Sequence, residues 1–139
     1  MKHNKGFSLL ELLIVVAIIL IIATIAIPSL LKSRQAANES AAVATLKTLN
    51  TVQITYSSTG GNFGTLPDLI RERLLDESFM NAKSGYRYIV TVSGLDYTAE
   101  AVPVTNSGRY AYYSTPDGVV RYSMIATLAP SGQAGRAVH

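Results

Sequence analysis

One uninterrupted apolar run dominates the pattern of this chain. It extends from Phe7 to Leu31, and between Leu12 and Ile27 only Thr24 is not apolar. These 25 residues make roughly 37 Å of helix at ~1.5 Å per residue, enough to cross a hydrocarbon core of ~30 Å with some tilt. Lys2 and Lys5 precede the run with no acid nearby, which predicts a cytoplasmic N-terminus and an outward-facing remainder. A single acid, Glu11, lies inside the run. Placing a carboxylate there costs ~2.5–3.5 kcal/mol on insertion scales, so Glu11 is a candidate functional residue. A secretory signal fits poorly. Its apolar region spans ~7–15 residues before a small-x-small cleavage site, whereas this run is longer and ends in Ile27-Pro28. A permanent signal anchor fits the hydropathy equally well.

The pattern changes after Leu31. Lys32, Arg34, Asn38, Glu39 and Lys47 make the next stretch soluble, and Ala36, Ala37, Ala41, Ala42 and Ala44 favour helix. Leu46, Leu49, Val52 or Gln53, and Tyr56 recur every three or four residues. They predict one apolar face that packs on a sheet. Ser57-Ser58-Thr59-Gly60-Gly61 ends the helix. Asn62 to Asp68 reads as a loop closed by Pro67, and Leu69 to Leu75 as a short helix. Alternation then replaces the helical period. Tyr86, Tyr88, Val90 and Val92 mark a first strand, and Tyr97, Ala99, Ala101 and Val102 a second that ends at Pro103. Arg109–Ser114 and Val119–Met124 flank the turn Thr115-Pro116-Asp117-Gly118. The tail from Pro130 to His139 reads as loose. The expected fold is α+β: a long N-terminal helix whose second half packs on a small antiparallel meander.

The segment Lys5-Gly6-Phe7-Ser8-Leu9-Leu10-Glu11-Leu12-Leu13 resembles the prepilin signature of type IV pilins and of the pseudopilins of type II secretion. The resemblance is close over residues 1 to about 30 and extends only to general layout beyond. It implies that a membrane peptidase cuts after Gly6, that Phe7 is then N-methylated, and that the apolar helix is retained. It also implies that Glu11 partners the amino terminus of a neighbouring subunit, so Phe7 and Glu11 act together in assembly. The residues are physically apt. Gly6 lets a protease approach the backbone closely because it has no Cβ. The helix dipole favours an anion at Glu11, but by only ~0.3–1 kcal/mol, less than burial costs. Pro28 cannot donate its N–H, which predicts a kink or the end of the membrane helix.

Charge adds little to this picture. The formal net charge is +3. Without Lys2 and Lys5, ten basic side chains face nine acidic ones, a near-neutral balance that gives little support for a nucleic-acid surface. Cysteine is absent, so no disulfide closes the C-terminal loop as it does in many Gram-negative pilins. All eight tyrosines fall between Tyr56 and Tyr122. Packing across strands and against the helix accounts for them best; a subunit-contact surface and an electron-hopping chain are the rival readings.

Enzyme chemistry finds no footing. The two histidines are His3 and His139, and Gly60-Gly61 lacks the strand and lysine of a phosphate-binding loop. Asp96, Glu100 and Asp117 read as solvated acids in or beside turns, without the converging oxygens of a calcium site. Major pseudopilins typically carry such a site near the C-terminus, and nothing after Asp117 is acidic. No metal or other cofactor is expected.

The sequence therefore predicts a structural subunit in four parts: a leader (1–6), a membrane and filament-core helix (7–31), its amphipathic continuation (32–59) and a head (60–139). Leu46, Leu49, Val52 and Tyr56 are the expected head core. The resemblance implies a single-pass precursor in the bacterial inner membrane. That precursor is processed by a prepilin peptidase and passed to an assembly platform. It polymerises with copies of itself and other pilins into a surface pilus. The alternatives are a periplasmic pseudopilus subunit of type II secretion and, from another class, a membrane-anchored binding module that never polymerises.

Overall fold

The computed structural model describes residues 6–123 and 134–139. The chain forms two units, one ending at Arg34 and the other spanning Gln35–His139. Helix α1, Leu9–Gly60, is assigned without interruption across Pro28. Pro28 therefore does not end the helix.

In the first unit the helix stands alone. The large apolar side chains between Phe7 and Leu31 are exposed in the single chain. Among the described residues this is the one helix long and apolar enough to cross a membrane. Thr24 satisfies its hydroxyl on the Ile21 carbonyl at 2.7 Å, so the polar atom inside the run is bonded within its own helix.

In the second unit the remainder of α1 packs on an antiparallel sheet. Ala42, Leu46 and Leu49 enter one cluster with Tyr86, Tyr88, Tyr97, Ala99, Ala101, Tyr112 and Val120. The helix persists here although threonine is a poor helix former. The hydroxyls of Thr45, Thr48, Thr51 and Thr55 each donate to the carbonyl four residues back, so their polar atoms are satisfied locally. The helix closes where Gly61 adopts φ +75° and donates its N–H to the Ser57 carbonyl at 2.7 Å. That left-handed conformation suits glycine at a helix C-terminus.

Helix α2 covers Leu66–Arg71, earlier than the expected Leu69–Leu75. Pro67 starts this helix instead of closing a loop. The Asp68 carboxylate accepts the Thr65 backbone N–H at 3.1 Å and the Thr65 hydroxyl at 2.6 Å, and proline suits a first helical turn because no partner waits for its missing N–H. A 3-10 turn follows at Glu77–Met80.

The sheet is a five-stranded meander in sequential order: β1 Tyr86–Ser93, β2 Asp96–Pro103, β3 Ala111–Ser114, β4 Val120–Ser123 and β5 Arg136–Ala137. Every pairing is antiparallel, with Tyr88 opposite Ala101 and Tyr112 opposite Tyr122. Four strands were expected. The fifth comes from the tail read as loose: Tyr122 pairs with Arg136 and Arg121 with Ala137. Pro130 to Gln133, and Met124 of the expected fourth strand, lie outside the described residues. Alternation in β1 and β2 turns Tyr86, Tyr88, Tyr97, Ala99 and Ala101 inward. β3 is buried at all four positions, and Ala111 and Tyr113 form a second small cluster. The tyrosines pack as aromatic pairs: Tyr110 and Tyr122 lie 5.1 Å apart between ring centroids, and Tyr86 and Tyr112 lie 6.0 Å apart. Gly108 admits the Tyr86 ring, since a Cβ there would sit 1.9 Å from the Tyr86 hydroxyl oxygen.

Candidate assembly site

The residues singled out by the N-terminal signature cluster where α1 begins. Gly6 and Phe7 precede the helix, and Phe7 is 94% exposed. Ser8 caps it. The Ser8 backbone N–H donates to Glu11 Oε2 at 2.8 Å, and the Glu11 backbone N–H donates to Ser8 Oγ at 3.2 Å. This is a reciprocal capping box, in which serine and the acid three residues later satisfy each other's backbone N–H groups. Glu11 therefore does more than stand in an apolar run: its carboxylate already holds its own helix. Ser8 went unremarked in the sequence, although Ser-x-x-Glu ahead of an apolar run is the visible signal. Leu9, Leu10, Leu12 and Leu13 are exposed around it.

The head core lies in the other unit. Leu46 and Leu49 are fully buried. At the next position of the stripe the structure buries Gln53 and leaves Val52 and Tyr56 half-exposed. Gln53 Nε2 donates to the Gly64 carbonyl at 2.7 Å, and the Gly64 N–H donates to Gln53 Oε1 at 3.0 Å. One side chain thus replaces a missing backbone ladder. A second polar group is buried beside it: Asn50 donates to Ser114 Oγ at 2.7 Å and accepts from the Tyr97 hydroxyl at 2.8 Å.

Glu39 and Glu100 differ from their sequence reading, whereas Asp117 is exposed in a turn as expected and is in addition ion-paired. Glu39 is a core residue and not part of the solvated face. It accepts from the Arg109 backbone N–H at 2.8 Å, Nε at 3.0 Å and Nη2 at 2.7 Å. Burial works against its charge, but the hydrogen bonds and charge of Arg109 outweigh this and hold the carboxyl below its usual range. Gln35 and Asn38 donate to the carbonyls of Asn106 and Ser107, so one helix face ties down the β2–β3 loop. This explains why β3 starts at Ala111 and not at Arg109. Asp117 is paired with Arg121 at 2.6 Å, and that hydrogen bond, helped by Val119 N–H and Thr115, pushes its carboxyl down to about 2. Glu100 lies inside β2, where burial raises its carboxyl. Asp96 remains exposed. Among the described residues no three His, Cys, Asp or Glu side chains converge on a common point.

Comparison with known proteins agrees with this arrangement. Residues 1–27 match the family model of the prokaryotic N-terminal methylation motif. The chain is 30% identical over 137 residues to the type IV major pilin protein PilA of Myxococcus xanthus, covering 96% of this chain and 62% of that one. It is 52% identical over 46 residues to the type IV wide pilus major component PilA4 of Thermus thermophilus, covering 33% of this chain and 35% of that one. The chain thus spans less than two thirds of the length of either relative. Motif and relatives make the chain similar to type IV pilins, and the fold is α+β, a long N-terminal helix with an antiparallel sheet. Both relatives are named as major pilus components.

Proposed function

We propose that this chain is a pilus subunit, cleaved after Gly6, N-methylated on Phe7, held in the inner membrane by residues 7–31 and polymerised into a filament. One observation carries this reading: an exposed apolar helix bears a carboxylate, Glu11, in its first turn, within the residues that match the methylation motif. A bilayer covers that helix in the precursor, and the helices of neighbouring copies cover it in the filament. Residues 32–59 join the helix to a head formed by residues 60–139. In a filament core of low dielectric, the Phe7 amine of an adjacent copy pairs with Glu11, and loss of either partner is penalised. The prepilin peptidase, the assembly platform and other pilins are the partners this path requires. A non-polymerising anchored module would use the acid only to cap its own helix.

Intact-mass analysis of membrane-purified protein tests the first step. The expected mature chain begins at Phe7 and carries one methyl group. A chain still beginning at Met1, or beginning beyond Pro28, would sink the reading.

A further inference from the structure

We infer that Ser8 is a positioning residue for Glu11: its hydroxyl holds the Glu11 backbone N–H and so closes the turn in which its own backbone N–H grips the carboxylate, leaving one oxygen on the helix and the other for a second copy of the chain. The inference rests on the assembly reading above and adds to it a residue that the N-terminal signature leaves without a role.

The geometry is specific. Ser8 N–H engages Oε2 at 2.8 Å, and Ser8 Oγ engages the Glu11 N–H at 3.2 Å. Among the described residues no hydrogen bond to Oε1 is formed. No atom before Ser8 takes part, so cleavage after Gly6 leaves the box intact. The box does two things. It stops the first turn from fraying, so the helix begins at Leu9. It also removes side-chain freedom that an unheld glutamate would lose on pairing, and preorganisation of this kind lowers the cost of association. A carboxylate has several acceptor positions and accepts more than one donor at once. The ammonium of a second copy therefore reaches Oε1 without displacing Ser8.

The experiment expresses a tagged variant beside the untagged wild-type chain. It reads the tagged share of sheared filaments, normalised to cleaved protein in the membrane. Ser8→Ala should enter filaments roughly five-fold less than wild type, the factor expected from loss of one N-cap hydrogen bond, and Ser8→Thr should restore entry. Ser8→Val, another poor N-cap, replaces the alanine variant should that one escape cleavage. Glu11→Gln keeps the box, because glutamine serves equally at this position, but loses the charge, and should fall as far as Glu11→Ala. Adding Ser8→Ala to Glu11→Gln should then cost nothing more. Helix capping alone would instead make the double variant worse than Glu11→Gln. Either that result or wild-type entry of Ser8→Ala overturns the positioning role. Wild-type entry of Glu11→Gln and Glu11→Ala would overturn the assembly reading itself, a separate outcome.

Discussion

Replacing Gln53 by leucine tests how α1 is seated on the head. Gln53 is fully buried and bonds both the N–H and the carbonyl of Gly64, itself buried. Leucine fills similar space but leaves two backbone groups without partners. Each buried orphan costs ~1–3 kcal/mol. Phe63 and Thr65 on either side are only half-buried, so the loop has room to turn one group towards water, which places the expected loss at ~2–4 kcal/mol. Val52, its neighbour, is half-exposed, so Val52→Ala should cost below ~1.5 kcal/mol. Chemical denaturation of the detergent-solubilised chain, followed by tyrosine near-ultraviolet circular dichroism, reports both values. A loss of this size also lowers Tm, by roughly 4–8 °C per kcal/mol for a domain of this size. If Gln53→Leu is neutral and Val52→Ala is the costlier change, the helix is rotated from the register described here and the reasoning fails.

Leu49→Ala should cost ~2–5 kcal/mol, because the leucine is fully buried and its cavity cannot fully collapse; a loss below that of Val52→Ala in the same denaturation assay would contradict the core assignment. The Asp117–Arg121 pair predicts acid sensitivity. The folded-state pKa of Asp117 is depressed from 3.8 to about 2. Its contribution is therefore fully present above 3.8 and is lost as pH falls towards 2. Melting temperatures measured across that window should fall less steeply in Asp117→Asn than in the wild type, and parallel curves would remove the pair from the explanation.

Much of this protein is determined locally, and so is legible in the sequence. A run of apolar residues long enough to span a bilayer announces itself without reference to anything distant. Strand alternation in Tyr86–Val92 and Tyr97–Ala101 likewise reads directly as a two-faced sheet. The capping boxes at Ser8/Glu11 and Thr65/Asp68 were equally local; they were legible signals passed over, and the second would have placed Pro67 inside α2.

Other features exist only when distant segments meet. Spacing of three or four residues could not choose between Val52 and Gln53, because both lie near one helix face; the orphaned groups of Gly64 made the choice. Glu39 looked like a solubilising charge until Arg109, 70 residues away, neutralised it at the helix surface. Arg136–Ala137 has no strand signal of its own, since two residues carry no period, and it becomes β5 only because β4 offers an unpaired edge. Helix, strand alternation and membrane run follow from near neighbours along the chain. Burial of a charge, an amide or a short terminal strand depends on partners that only the folded chain brings within hydrogen-bonding distance.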